Sequence, residues 1–180
     1  GIVVLAKEDV GGGQTYFLVI SGERKGEVWE RDESGTLRLP GCTFLDWVEL
    51  HLSKQLIPYT DKLFRQEKSQ READDPLSTI RALMTAKRRQ DIRWNPPVSR
   101  DVVKDFEQRH GITLPEEYVT FITEIADGCE NFPSANSNGK GGVFYSLAQL
   151  DCLPNLDKAF YFTENTDETR KYLTNSFGPN

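Results

Sequence analysis

Few side chains in this 180-residue chain are placed to make or break bonds. There are two histidines, His51 and His110. Neither has a Cys, Asp or Glu at the short spacings a structural or catalytic zinc site uses. His51 falls near an apolar helical stripe and His110 beside a helix-closing glycine, so both read as structural. Cys129 follows Asp127-Gly128 at the end of a helix. A thiol there turns nucleophilic only where its pKa is lowered, and a plain thiol is the stronger reading. Cys42, Cys129 and Cys152 are odd in number and none sits in a CxxC pair, which points to free thiols in a reducing compartment. Gly11-Gly12-Gly13 lacks the lysine of a phosphate-binding loop. Gly139-Lys140-Gly141-Gly142 lacks the following Ser/Thr and the upstream glycine. No GxSxG elbow occurs. Glu116-Glu117 resemble an acid/base pair, but the first turn of a helix attracts carboxylates through its dipole. No catalytic residue, metal ligand or cofactor is predicted, and the chain is expected not to be an enzyme.

What remains is a surface that binds. Trp29 sits between Glu27 and Glu30 on a strand, and an exposed aromatic among carboxylates is a typical anchor for a partner. The alternative is that Trp29 belongs to the core. Asp127, Glu130 and Asp151 flank a polar Asn/Gly-rich stretch, residues 130–142, and can form an acidic rim that Glu164, Asp167 and Glu168 extend. The formal net charge of −6 argues against direct nucleic-acid binding. Residues 81–109 hold eight Lys/Arg against four Asp/Glu, whereas residues 111–180 hold four against ten. An acidic surface in the latter would steer a basic protein partner; simple solubility is the reading that starts ahead.

The elements that must position these residues follow from periodicity. Ile2–Ala6 reads as a buried strand, Thr15–Ser21 as a second, and Gly26–Arg31 as a third that alternates, with Leu37–Leu39 after it. Turns are expected at Gly11–Gly13, Gly22–Gly26 and Ser34-Gly35. Thr43 is placed to cap a helix with Phe44, Trp47, Val48, Leu52 and Leu56 on one face, stopped by Pro58. Residues 61–74 are charged and almost free of core residues. A second helix begins at Asp75-Pro76 with Leu77, Ile80, Leu83 and Met84 inward, and Lys87-Arg88-Arg89 suits its end. Pro96-Pro97 break the chain. Ser99 caps a helix whose Val102, Val103 and Phe106 face inward and which Gly111 closes. Leu114-Pro115 opens another, with Tyr118, Phe121, Ile122 and Ile125 on one face and Gly128 at its end. Strands are expected at Val143–Leu147 and Ala159–Thr163, and a short helix at Asp167–Leu173.

The ordered set Trp94-x-Pro96-Pro97, Ser99, Phe106-Glu107, Gly111-Ile112-x-Leu114-Pro115-x-x-Tyr118-x-x-Phe121, Asp127-Gly128 and Gly142-Val143-Phe144-x-Ser146-Leu147 resembles the SUKH superfamily. That family comprises bacterial toxin-immunity proteins and the fungal Smi/Knr cell-wall regulators. Residues 9–47 resemble the family's C-terminal half, through Gly11–Gly13, the strand Tyr16–Gly22, Gly26-Glu27-Val28-Trp29 and Phe44-Leu45-x-Trp47. The order is inverted: the family's second half precedes its first. The chain is therefore expected to be one permuted domain over residues 1–180, with 1–56 as the family's C-terminal half, 57–74 as a charged connector and 75–180 as its N-terminal half. A slice across two tandem domains is the rival. The resemblance implies an α+β fold, a central and mostly antiparallel sheet backed by helices. It implies a non-enzymatic immunity protein that blocks a cognate toxin, often a nuclease. The alternative is a regulatory or scaffold module of the Smi/Knr type. The expected partner is a basic protein toxin, with no membrane contact. With no apolar run long enough to span a bilayer and no leader signature around Ile2–Ala6, a cytoplasmic location is expected.

Overall fold

A computed structural model of the chain describes residues 1–7, 14–31, 37–53, 76–85, 92–132 and 142–152. Among these residues seven strands form one sheet: β1 (Ile2–Lys7), β2 (Thr15–Val19), β3 (Glu27–Arg31), β4 (Leu37–Thr43), β5 (Arg93–Trp94), β6 (Cys129–Phe132) and β7 (Gly142–Phe144). Their order is β4-β3-β2-β1-β7-β6-β5, and every pairing is antiparallel. Among the described residues five helices accompany it: α1 (Phe44–Ser53), α2 (Pro76–Thr85), α3 (Arg100–His110), α4 (Glu116–Glu124) and α5 (Leu147–Leu150). This is the α+β class that the sequence implies.

The apolar run of β1 makes it the centre of the sheet. A strand with one wet face alternates; a strand covered on both faces reads as a continuous apolar run. Ile2 through Ala6 are all buried. Val3, Leu5, Tyr16, Leu18 and Val28 point to the helix side, where α1 supplies Phe44, Trp47, Val48 and Leu52 and α4 supplies Tyr118, Phe121 and Ile122. Ile2, Val4, Phe17, Val19 and Trp29 alternate with them, are also buried, and fall outside that cluster. The register sets Ile2 beside Val19, Val4 beside Phe17 and Phe17 beside Trp29, so they form a second apolar layer on the opposite face.

The helix ends obey their capping residues. The Thr43 hydroxyl accepts from the Asp46 N–H (3.3 Å), and the Asp46 carboxylate accepts from the Thr43 N–H (3.4 Å). This reciprocal capping box satisfies two otherwise orphaned donors. Ser99 caps α3 through the Val102 N–H (3.4 Å), and Gly111 closes it at φ 61°.

Several expectations are corrected. Val102 does not face inward; it is 46% exposed, and Val103 and Phe106 carry the buried stripe alone. Pro115 is the N-cap of α4, not its first helical residue. α4 stops at Glu124, and Gly128 serves the turn beyond it. The polar stretch from 130 is in part β6, because Cys129 and Phe132 are buried while Glu130 and Asn131 face out. The strand expected over Val143–Leu147 ends at Phe144, and Leu147 begins α5. β4 is longer than Leu37–Leu39, and the two-residue β5 has no counterpart among the expected strands. The expected turns at Gly11–Gly13 and Ser34-Gly35, Leu56, Pro58, residues 61–74, Asp75, Lys87–Arg89, Ala159–Thr163 and Asp167–Leu173 lie outside the described residues.

Candidate functional site

Of the residues read as an acidic rim, Asp127 lies in the turn after α4, Glu130 on β6 and Asp151 at the end of α5, around the corner where β7 joins α5. Asp127 does not line its surface. It is buried, and its carboxylate accepts from the Leu147 N–H at 2.8 Å, so it holds the first turn of α5. Its own carbonyl accepts from the Asn95 amide at 2.8 Å. Burial pushes the Asp127 pKa up, and the Leu147 bond only partly offsets that. Gly128, at φ 76°, lies so close to the 144–146 backbone that a Cβ would meet Phe144 O at 2.5 Å and Ser146 N at 2.7 Å. The Asp-Gly pair is thus a fastener: the aspartate ties a backbone donor and the glycine permits the close approach. Ser146 then caps α5 in a capping box with Gln149.

Asp151, at the end of α5, lies on the surface of the corner. Arg109 Nη1 reaches its two oxygens at 2.5 and 2.6 Å, and His110 Nε2 lies 2.6 Å from Oδ1. Hydrogen bonds from Arg109, then from His110, hold the Asp151 carboxyl below its ordinary range. His110 therefore does more than precede a glycine. Its ring rests against Phe106 (4.6 Å between centroids) and links α3 to α5. The placement of Arg109-His110 at the C-terminus of a helix, where cations are favoured, was the available signal.

Glu130 is exposed and pairs with Arg93 across β5–β6 at 3.8 Å. The same pattern repeats elsewhere: Arg100 with Glu116 and Arg81 with Glu124, both at 3.3 Å. The basic excess of residues 81–109 and the acidic excess that follows it therefore meet in space. Four arginines of the first segment, Arg109 included, neutralise four carboxylates of the second.

Glu27, Trp29 and Glu30 lie on β3, four strand steps from β6 and so roughly 19 Å away at ~4.8 Å per step. They do not join the corner. Trp29 is 8% exposed; its Nε1 donates to Glu27 at 3.1 Å and the Arg24 guanidinium covers its ring at 5.6 Å. Glu30 is half-buried beside Tyr16 in the β2–β3 register. Glu164, Asp167 and Glu168 lie outside the described residues.

Cys129 is buried on β6 and burial pushes its thiol pKa well up, which opposes thiolate formation. His51 is buried among Tyr16, Trp47 and Phe132, with Nδ1 donating to the Trp47 carbonyl at 2.8 Å. Desolvation lowers its pKa to about 4, so it is neutral at pH 7. Among the described residues no group of three or more His, Cys, Asp or Glu is arranged to hold a metal ion, and no helix is long and apolar enough to cross a membrane.

A helix-layered antiparallel sheet, with its marked Asp-Gly, Ser and Phe residues spent on architecture, defines an α+β scaffold. Residues 97–177 match the family model described as SMI1 / KNR4 family (SUKH-1). Over that segment the chain is similar to the SUKH-1 family. Searches among curated proteins and among solved structures returned no match.

Proposed function

We propose that this protein is a non-enzymatic immunity protein that binds a cognate bacterial toxin and neutralises it by direct contact. The SUKH-1 match over residues 97–177 carries the reading. The geometry is compatible with it: the corner residues brace backbone, and the thiol and the buried histidine are both held uncharged. The contact surface is the β6–α5 corner, with exposed Glu130 and half-exposed Asp151 as its carboxylates. Pairing with Arg93 does not disqualify Glu130. A surface ion pair is worth about 0–1 kcal/mol, so a basic partner can take over the carboxylate at small cost. A basic toxin, such as a nuclease, would associate fast and in a salt-sensitive way, and the complex would form in the cytoplasm.

Co-expression with the product of the neighbouring reading frame tests this. Rescue of growth that is weakened by Glu130→Lys, with an unchanged urea midpoint, supports it. Absence of rescue and of binding rejects it in favour of a regulatory module of the Smi/Knr type. Association insensitive to ionic strength would remove the electrostatic part alone.

A further inference from the structure

Within the sheet, one neighbour relation breaks chain order. β4-β3-β2-β1 is a sequential run, and so is β7-β6-β5, but the two runs meet where β1 pairs with β7. If residues 76–152 preceded residues 1–53, all seven strands would be sequence neighbours in one simple meander. Sequential strands tend to lie side by side, and among the described strands the lone exception is the β1–β7 pair.

Each half is incomplete without the other. Residues 1–53 alone would leave β1 as a bare edge and α1 with no cover. Phe44 packs on Tyr118 (5.1 Å between centroids) and on Phe121 (5.4 Å), and Trp47 stacks on Phe132 (5.1 Å) and meets Phe144 (5.8 Å). The seam itself is short: Ala6 opposite Phe144, Lys7 opposite Val143, and the Tyr145 N–H donating to the Leu5 carbonyl at 2.8 Å.

We propose that residues 1–53 and 76–152 are complementary pieces that also assemble between molecules, with a second copy of this chain as the partner and the β1–β7 seam as the exchange surface. Every copy carries both surfaces, so an exchanged pair buries the contacts of the closed form and needs no new ones. The covalent link between the pieces is not at the seam. Residues 54–75 join the end of α1, which packs over β3 and β4, to the start of α2, which packs on α1. Fully extended, 22 residues reach roughly 75 Å at 3.3–3.6 Å each. Closure within one chain has an effective concentration on the order of 1 mM. The closed form therefore dominates in dilute solution, and exchange grows in proportion to protein concentration.

Two variants of the full chain, Lys7→Cys and Val143→Cys, both carrying Cys152→Ser to remove the exposed thiol, test this. Lys7 and Val143 are register partners, within disulfide reach across an antiparallel pair. The two are mixed, unfolded in urea, refolded together and oxidised, and the disulfide-linked peptide joining position 7 of one chain to position 143 of the other is quantified by mass spectrometry. The expected result is a covalent dimer with that linkage, its share of the protein about twenty-fold larger after refolding at about 500 µM than at about 10 µM. Mixing without unfolding should give far less. The double variant Lys7→Cys/Val143→Cys supplies the second reading. If it closes within a monomer while the mixed single variants never link above the unrefolded background, exchange is refuted. If it does not close, the seam is refuted and the proposal with it.

Discussion

Replacing Gly128 with alanine should unfold the corner that the Asp-Gly pair fastens. Gly128 has φ 76°, and an added Cβ would lie 2.5 Å from Phe144 O, 2.7 Å from Ser146 N and 2.8 Å from Tyr145 C. All three are backbone atoms, so no flexible side chain can yield. The left-handed conformation costs a non-glycine residue about 1–2 kcal/mol. Forcing the β7–α5 backbone away adds about 1–3 kcal/mol, as overpacking does in a core. The displacement also loosens the Leu147–Asp127 bond (2.8 Å) and the Asn95 N–H to Gly128 O bond (3.1 Å). A loss of about 3–5 kcal/mol is expected, against a total of about 5–15 kcal/mol for a domain. With a urea m-value of about 2 kcal/mol/M, the midpoint falls by about 1.5–2.5 M. Gly22→Ala is the control. Its φ is 84° but its Cβ would meet nothing within 4 Å, so it bears the conformational part alone. Equal midpoint losses for Gly128→Ala and Gly22→Ala would refute the close-approach argument.

Asp127 and His51 offer two more tests. Asp127→Ala removes the acceptor for the Leu147 N–H and should cost about 1–3 kcal/mol in urea unfolding. Asp127→Asn keeps an acceptor and removes a carboxylate whose pKa burial raises, so at pH 7 it should be near neutral or stabilising; a larger loss for Asn than for Ala would contradict this. His51 is neutral in the fold, with a pKa lowered to about 4, whereas an unfolded histidine titrates near 6.5. Between those values the unfolded state binds the extra proton, so stability falls as pH drops from about 6.5 toward 4, by at most about 3 kcal/mol. His51→Phe should flatten that part of the pH profile of the urea midpoint, and an unaltered slope would show that His51 is not its source.

Much of this fold is legible in the chain because its signals are local. Ser99 and Gly111 bracket α3 by their capping chemistry, and the apolar run of Ile2–Ala6 marks the central strand by composition. The misses have physical reasons. Cys129–Phe132 hides a strand because four residues with two outward polar ones look like a loop. β5 is two residues long and exists only because β6 gives it a partner. The arginine–glutamate pairs join positions 16 to 43 apart, a separation that no periodicity encodes, so the acidic excess looks like an open surface. Asp127 reads as rim because an aspartate beside a glycine gives no sign of whether its carboxylate faces water or a backbone donor.

The two outer strands carry one further consequence. β4 contains Pro40, which has no N–H to donate, and β5 offers two residues. Bare strand edges are templates on which further chains stack, and prolines and very short strands spoil the template. Among the described residues the closed sheet is therefore guarded against runaway polymerisation at both margins, and the pairing surface that could recruit another chain stays covered inside it, at β1 and β7.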